Sequence, residues 1–301
     1  MLEATLLKIH SEVLVAYSPQ ALANSPQAAY HSTLASLDGY IYQFSGADTT
    51  NLYSKNLYRY DLASNTWVAR APAPHAHMNG TLFAYSGKLY AIGGSASNPA
   101  IGNTVTDFLT FHSYDPITNS WTTLAPVPGN ESLGRVAVAV WEGKFYVVAV
   151  GKTFIYHVAT DTWTTVNNGL VVSQTAFIQI GTALYLGGPS RDRLFYRYDF
   201  LSNTWRALAN MPLDIFYGND LFEYAGKIYS VGGWNGTTYI RDIYVYDIAR
   251  NTWALFRTST PFALYTSRVI KHNKRWYCGT GSTNGGSGGG QSILYQIAIE
   301  P

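Results

Sequence analysis

A phrase of eight residues that begins with Tyr and ends with Trp occurs five times in this chain of 301 residues. The Trp follows the Tyr by seven positions in every copy, and Asp directly follows the Tyr in four of them. The copies are Tyr60 to Trp67, Tyr114 to Trp121, Tyr156 to Trp163, Tyr198 to Trp205 and Tyr246 to Trp253. A spacing that recurs every 40 to 55 residues or so indicates a chain built from structural repeats.

A second phrase, a short turn followed by an apolar run that ends in Tyr, precedes each copy. The turns are Asp38-Gly39, Ser86-Gly87, Glu142-Gly143, Gly181-Thr182 and Ala225-Gly226. Three of the runs continue into double glycines, at Gly93-Gly94, Gly187-Gly188 and Gly232-Gly233. Such a dipeptide between apolar runs predicts a β-hairpin turn. A double glycine predicts a place where two backbones approach too closely for a side chain.

This pattern resembles the kelch repeat, which combines a double glycine, a Tyr-Asp pair and a Trp at a fixed distance. The resemblance covers the chain from about Ala28 to Ile299. The third repeat departs from it, because Val148-Ala149-Val150 replaces the double glycine and His157 replaces the Asp. The sixth has Gly279-Thr280-Gly281 at the double glycine. The resemblance implies a β-propeller, a ring of four-stranded blades whose strands run from a at the centre to d at the rim.

Six copies of the Tyr in strand b predict six blades; they are Tyr42, Tyr90, Tyr146, Tyr185, Tyr229 and Tyr277. We therefore expect one all-β, six-bladed kelch-type propeller over residues 1–301. Its blades should span about residues 28–70, 75–124, 131–166, 170–208, 213–256 and 262–301. A Trp seven positions after Tyr295 would fall beyond the last residue, so blade six lacks its own strand d. We expect residues 11–17, within an N-terminal segment 1–27, to supply that strand and to close the ring.

Composition argues against several classes of function. The formal net charge is +2 and no cluster of Lys and Arg occurs, which argues against nucleic-acid binding. The first residues contain neither a basic start nor a long apolar run, so we expect no secretory signal. No run approaches the roughly 18 apolar residues that span a membrane, so we expect a cytoplasmic or virion protein. The single cysteine, Cys278, excludes an internal disulfide and is expected to be a small buried side chain.

The two faces of the predicted ring differ in regularity. Antiparallel strands place the a–b and c–d turns on one face and the b–c and d–a connections on the other. The c–d turns have one length, whereas the b–c connections separate successive tyrosines by 10 to 24 residues. Variable loops on a rigid frame are where such proteins place specificity. We therefore expect binding on the face of the b–c and d–a connections, which we call the b–c face.

Polar residues are expected at the mouth of the central channel on that face. Eight positions before the second residue of each a–b turn stand His31, Asn79, Arg135, Gln174, Gly218 and Thr266. Two interpretations remain open: a funnel that contacts a ligand, or a water-filled channel whose polar groups are satisfied. From this column and its neighbours we predict ten binding residues: Tyr30, His31, Asn79, Arg135, Gln174, Tyr217, Asn219, Trp234, Tyr265 and Arg268.

Catalysis is less well supported by the residue patterns. A copper radical oxidase would need a Cys–Tyr crosslink with further His and Tyr ligands, and Cys278 beside Tyr277 offers no such arrangement. His75 and His77 supply two ligands, which do not make a metal site. A sialate-mutarotase-like propeller would need acid and base groups in the funnel. The nearby candidates form no recognisable set; they are Glu131, Arg135, Asp220 and Arg268. We expect no catalytic residue, metal or cofactor.

The leading interpretation is a non-catalytic module that docks a protein partner through the b–c face, as a component of a larger assembly. The low share of charged residues, 13%, and the abundance of Tyr, Asn, Thr and Gly leave a second interpretation open. It is a phage tail or surface protein of a virion that binds a receptor or a glycan. A third is a sialate-mutarotase-like enzyme.

Overall fold

A computed structural model describes residues 22–29, 31–47, 53–76, 78–98, 104–107, 109–129, 133–134, 136–149, 151–167, 176–187, 193–212, 217–257, 268–279, 292 and 294–297. These residues contain 25 β-strands and no helix. The strands form five four-stranded sheets, one three-stranded sheet and one separate two-stranded sheet. The expected all-β, six-bladed propeller is thereby confirmed.

Strands are numbered along the chain, and within each blade they run outward from a to d. Blade one contains β1 (Thr33–Leu37), β2 (Tyr40–Phe44), β3 (Leu57–Asp61) and β4 (Thr66–Arg70). Blade two contains β5 (Thr81–Tyr85), β6 (Lys88–Ile92), β9 (Phe111–Asp115) and β10 (Ser120–Thr123), with the hairpin β7 (Ser95–Asn98) and β8 (Thr104–Asp107) inserted between β6 and β9. Blade three contains β11 (Ala137–Trp141), β12 (Lys144–Ala149), β13 (Lys152–His157) and β14 (Thr162–Asn167).

The other three blades follow the same order. Blade four contains β15 (Ala176–Ile180), β16 (Ala183–Gly187), β17 (Phe195–Asp199) and β18 (Thr204–Ala207). Blade five contains β19 (Tyr217–Tyr224), β20 (Lys227–Trp234), β21 (Ile243–Asp247) and β22 (Thr252–Arg257). The described part of blade six contains β23 (Arg268–His272), β24 (Arg275–Gly279) and β25 (Leu294–Ile297). The predicted blade limits include residues outside the described ranges and stay predictions.

The inner strands close into a ring. Strand a of each blade contacts strand a of the next, in the order β1, β5, β11, β15, β19, β23 and back to β1. The last junction includes a hydrogen bond of 2.8 Å between Ser36 Oγ on β1 and His272 Nδ1 on β23. Six blades therefore surround one central axis.

Side chains also form hydrogen bonds at the inner edges of these strands. No further strand lies there to pair with their backbone groups. On blade two, the hydroxyl of Thr81 donates to the carbonyl of Val136 at the start of blade three, at 2.8 Å. On blade four, the amide of Gln179 accepts from the backbone N–H of Val140 and donates to its carbonyl, at 2.8 and 2.7 Å. The blades are thus joined by polar contacts as well as by apolar packing.

At the rim, four residues form a hydrogen-bonded clasp between consecutive blades. The carboxamide oxygen of Asn119 accepts from the Tyr114 hydroxyl at 2.7 Å and from the Ala71 backbone N–H at 2.9 Å. The indole of Trp121 donates to the Ala71 carbonyl at 2.8 Å. The same clasp joins Ala23 to Tyr60, Asn65 and Trp67, Ala125 to Tyr156, Asp161 and Trp163, and Ala209 to Tyr246, Asn251 and Trp253. The constant Tyr-to-Trp spacing thus has a structural cause.

The predicted closing strand, residues 11–17, lies outside the described residues. The segment that comes after it is described and lies between blades six and one. The backbone N–H of Ser25 donates to the carbonyl of Ser292 at 2.6 Å, and Leu22 packs with Tyr277 and Leu294. Ala23 takes the place in the blade-one clasp that residues just after strand d take elsewhere. This placement supports closure by the N-terminal segment, which remains a proposal.

The double glycine of blade two lies where blades two and three meet. Gly93 has φ of +65°, and a Cβ at this position would lie 2.5 Å from the Leu133 carbonyl oxygen. The backbone N–H of Gly94 donates to the same oxygen at 2.7 Å. The expected close approach of backbones is confirmed here, because only glycine leaves room for it.

Candidate binding face

Two hairpins extend the ring on the b–c face. In blade five, the hairpin runs from Trp234 to Tyr239 and continues the strand pair β19–β20. These two strands have eight residues each, whereas strands a and b of blades one and two, whose ends on this face are described, have five. Their last pair is Tyr217 with Trp234, and a further bridge joins Trp234 to Tyr239. In blade two, β7 and β8 pair from Ser95 with Asp107 to Asn98 with Thr104. Because blades two and five are three positions apart in a ring of six, these hairpins face each other across the axis.

The loop that caps the blade-five hairpin is ordered by its own side chain. Asn235 Oδ1 accepts from the backbone N–H groups of Thr237 and Thr238, at 2.9 and 2.8 Å. The side chains of Trp234 and Tyr239 on either side of this turn are half-buried. Tyr239 is not among the ten predicted binding residues, although the Asn-Gly pair between two aromatic residues is a hairpin signal. The arrangement presents two aromatic rings on a fixed support.

The three described members of the column at the channel mouth share a backbone conformation. His31, Asn79 and Gly218 have φ of 56°, 62° and 87°, in the left-handed region. The backbone N–H of Asn79 donates to the His31 carbonyl at 3.2 Å, which joins blades one and two at this level. Gly, Asn and, less often, His tolerate this conformation. The residue types of the column therefore have a structural reason in addition to any role in binding.

Six of the ten predicted binding residues have a described backbone. His31 and Asn79 are half-buried at the mouth, and Trp234 ends β20 beside it. Tyr217 begins β19, and Asn219 and Arg268 are the remaining two. The other four predicted residues lie outside the described residues; they are Tyr30, Arg135, Gln174 and Tyr265. The structure thus brings together part of the predicted set, around the blade-five hairpin and the adjoining mouth.

Asn219 and Arg268 lie inside the ring. The Asn219 carboxamide donates to the Ser230 hydroxyl at 3.3 Å, within blade five. Arg268 is 8% exposed; its Nη1 lies 3.3 Å from Asp220 Oδ1 and its guanidinium lies 4.7 Å from the ring centre of Phe177. Arg268 therefore connects the inner strands of blades four, five and six. We leave these two residues out of the binding surface proposed below.

The side chains considered above as metal ligands or reactive groups lie at separate places in the fold. Among the described residues, no group of three or more His, Cys, Asp and Glu could hold a metal ion. The ring of His75 lies 5.7 Å from that of His112, and His77 is outside the described residues. Burial, together with the nearby His75, lowers the pKa of His112 to about 4. Burial raises the pKa of the Cys278 thiol, so this side chain stays protonated.

The described residues form no helix that could cross a membrane.

Known proteins resemble this chain in sequence. A family model described as "Kelch motif" matches residues 79–128 and 223–257. Kelch-like protein 36 of Mus musculus is 26% identical over 249 residues, which cover 74% of this chain and 39% of that protein. Kelch-like protein 25 of Xenopus tropicalis is 24% identical, with 76% and 41% covered. Kelch-like protein terF of Aspergillus terreus is 25% identical, with 62% and 55% covered. The chain thus spans about two fifths to just over half of these relatives.

A solved structure shows the same fold. The structure titled "Structure of YjhT" superposes with a TM-score of 0.76 at 17% identity, covering 92% of this chain and 97% of the other. At this identity the similarity concerns the fold alone. The family-model matches, the relatives and the six-bladed ring agree with one another. The chain is a six-bladed β-propeller that contains kelch motifs.

Proposed function

We propose that this propeller binds a protein partner through its b–c face and does so without catalysis. The observation that supports the proposal most directly is the pair of hairpins on that face, the one from Trp234 to Tyr239 beyond β20 and the inserted β7–β8. Within the described residues, they depart from the repeated architecture at two places that flank the channel mouth. Surfaces that depart from the repeat on a rigid scaffold are where recognition is usually found.

The opposite face offers a partner fewer groups. Its c–d turns have one length, and the Asn or Asp of the turn accepts from the Tyr of the same blade in all five copies. Asp115 illustrates the same point, because its carboxylate accepts from the backbone N–H groups of Ile117 and Thr118. These side chains hold the scaffold, which favours the b–c face for recognition.

The chemistry of the b–c face suits a protein surface. Aromatic residues contribute most to protein–protein affinity when they lie on rigid supports. Trp234 and Tyr239 meet this condition, since a backbone bridge joins them at the end of the blade-five hairpin. His31 and Asn79 add polar groups at the mouth. Kelch propellers typically serve as protein-interaction modules.

Binding is also favoured over catalysis by the position of two candidate catalytic groups. Asp220 and Arg268 are buried beside each other in the inner ring instead of lying open in the funnel. An acid or base that acts on a substrate must come within hydrogen-bond reach of it. The buried pair is already engaged in joining blades five and six.

Site-specific photo-crosslinking tests the proposal. A benzophenone amino acid would replace Thr237 on the b–c face or, as a control, Ser202 on a c–d turn; both positions are exposed. We expect a discrete crosslinked protein from position 237 in cells that produce the chain, and none from position 202. We also expect Trp234→Ala to remove this product, because truncating an aromatic anchor costs about 2 kcal/mol or more of binding free energy.

The control for Trp234→Ala is Leu201→Ala, which truncates a side chain that is 71% exposed on the opposite face. It should leave the crosslink unchanged, and thermal unfolding should show that both variants are folded. Crosslinks from position 202 alone, or a product at 237 that persists in folded Trp234→Ala, would contradict the proposal. Crosslinking to a polysaccharide instead of a protein would favour the glycan alternative.

A further inference from the structure

A cavity of about 270 Å³ lies between blades four and five, on the side of the c–d turns. It is separate from the b–c face, so its role does not depend on the function proposed above. Its lining includes Tyr185, Arg197 and Arg206 from blade four, and Tyr246, Ile248 and Asn251 from blade five. Two cations and two hydroxyl groups therefore surround a space between blades.

At two other blades the corresponding repeat position carries a larger side chain. The residue three positions after the Trp of strand d is Arg70 in blade one, and its guanidinium donates to the Tyr114 hydroxyl at 2.9 Å and the Pro116 carbonyl at 3.0 Å. In blade five this position is Phe256, whose ring centre lies 5.0 Å from that of Tyr229. In blade four it is Leu208, which lines the cavity without filling it. Leu124 of blade two and Val166 of blade three are no larger than Leu208, so the cavity results from how blades four and five pack at this junction.

Positive charge exceeds negative charge around this space. Arg197 Nη2 forms an ion pair with Asp199 Oδ2 at 3.0 Å, but its Nε is buried and has no hydrogen-bond partner. Arg206 is exposed at the cavity and forms no ion pair with any residue in the described part of the chain. Asp199 offsets one of the two arginines. One cation, Arg206, therefore remains without a counterion in the described part of the chain.

The hydroxyl groups in the cavity are neutral at any ordinary pH. Burial raises the pKa of Tyr185, and burial together with the nearby Tyr185 raises the pKa of Tyr246 to about 12. The Tyr246 hydroxyl donates to Asn251 Oδ1 at 2.7 Å, as in the other clasps. Tyr185 therefore adds a neutral hydroxyl, and no phenolate competes with an anionic ligand.

We propose that this cavity binds a carboxylate carried on a short aliphatic stem. Arg197 and Arg206 would hold the carboxylate, since guanidinium groups form strong charge-assisted hydrogen bonds with carboxylates. Leu208 and Ile248 would contact the stem. Such a group is found in a glutamate side chain of an acidic peptide and in a free dicarboxylate. Both sources share the chemistry that the cavity recognises.

Calorimetric titration with glutarate at low ionic strength tests the proposal on the full chain. We expect a dissociation constant of about 1 mM, which is typical of a single small anion in a preformed site. Arg206→Gln should weaken binding about tenfold by removing one charge-assisted contact. Leu208→Phe, which copies Phe256 of the next blade, should abolish binding by filling the cavity.

The matched control is Arg250→Gln, which removes an arginine that is 78% exposed and does not line the cavity. It should leave glutarate binding unchanged. Absence of heat with glutarate, equal weakening by Arg206→Gln and Arg250→Gln, or binding that survives in folded Leu208→Phe would overturn the proposal. If Leu208→Phe fails to fold, Leu208→Glu serves as the second variant, because its carboxylate would lie beside the two arginines and should abolish glutarate binding.

Two capped tripeptides, Gly-Glu-Gly and Gly-Gln-Gly, distinguish the sources of the carboxylate. Binding of the Glu peptide more tightly than glutarate would assign the site to a protein segment, and weaker binding would assign it to a free dicarboxylate. Equal binding of the Glu and Gln peptides would overturn the proposal.

Discussion

The carboxylate of Asp220 joins the inner strands of blades five and six, because its Oδ1 lies 3.3 Å from Arg268 Nη1. Its Oδ2 also accepts from the backbone N–H of Val269 at 2.7 Å. The side chains of Asp220 and Arg268 are 4% and 9% exposed. We predict that Asp220→Ala lowers the free energy of unfolding by about 3 to 5 kcal/mol, since it leaves a buried guanidinium without its counterion. Urea denaturation measures this change.

The double variant Asp220→Ala/Arg268→Met provides the control for this prediction. Removing both charges should recover a large part of the lost stability, because no unpaired charge remains in the ring. A loss below about 1 kcal/mol in Asp220→Ala would show that water reaches Arg268 and that the pair contributes little to the junction.

The rim clasp predicts that Asn119→Ala and Asn119→Asp differ in their effect on stability. Asn119→Ala removes the acceptor used by both the Tyr114 hydroxyl and the Ala71 N–H, and it places Ala at φ of 53°. We expect a loss of about 2 kcal/mol in chemical denaturation. Asn119→Asp should stay within about 0.5 kcal/mol of the parent chain, because Asp161 fills the same role in blade three. Equal losses in the two variants would contradict this account of the clasp.

Closure of the ring by residues 12–17 predicts a position-dependent effect of proline. Val15→Pro would remove a backbone donor from the proposed strand d of blade six, and should cost about 1 to 3 kcal/mol of stability. Lys8→Pro, which precedes the proposed strand, should have little effect. Denaturation curves of both variants test the proposal, and a Val15→Pro variant as stable as the parent would remove its basis.

Burial of His112 predicts a loss of stability in acid. Its folded-state pKa, about 4, lies below the ordinary value of about 6.5, so the unfolded chain binds the proton more readily. The contribution is therefore present above about pH 6.5 and is lost as the pH falls toward 4. The full difference is on the order of 3 kcal/mol. Burial also lowers the pKa of His272, which adds a loss of the same sign.

Unfolding free energies near pH 7 and near pH 4.5, about the two ends of this window, provide the measurement. His112→Phe should reduce the acid loss, and Leu201→Ala should not, because Leu201 is exposed on a c–d turn and does not titrate. An unchanged acid loss in His112→Phe would show that other groups determine it.

The six-bladed ring could be predicted from the sequence because one structural unit, the rim clasp, repeats. The Tyr, Asn and Trp of each clasp are fixed in spacing by the c–d hairpin, so the pattern is visible without coordinates. The N-terminal segment carries a further signal, which the prediction of closure did not use: Ala21-Leu-Ala-Asn-Ser-Pro26 matches Ala207-Leu-Ala-Asn-Met-Pro212 after the outer strand of blade four. This match points to the same closure.

The candidate sites were less predictable, because they arise where the repeat is broken. Arg268 and Asp220 occupy equivalent positions of neighbouring blades, yet which residue they contact depends on packing between sheets. The hairpin β7–β8 has few apolar residues and no strand signal in its sequence. The cavity beside Leu208 follows from how blades four and five pack, since blade two has Leu124 at the same repeat position. Such differences are visible only when blades are compared in three dimensions.

The rim clasps also set an order in which the molecule can assemble as it leaves the ribosome. The Trp of each clasp follows its Ala by 38 to 50 residues. Each clasp can therefore form as soon as the next blade has been synthesised. The contact between Ser36 and His272 spans 236 residues and must wait until the last blade emerges. Until then the nascent chain is an open arc, and its two end blades lack the neighbours that cover them in the closed ring. β-rich chains in this condition are prone to mispair with one another.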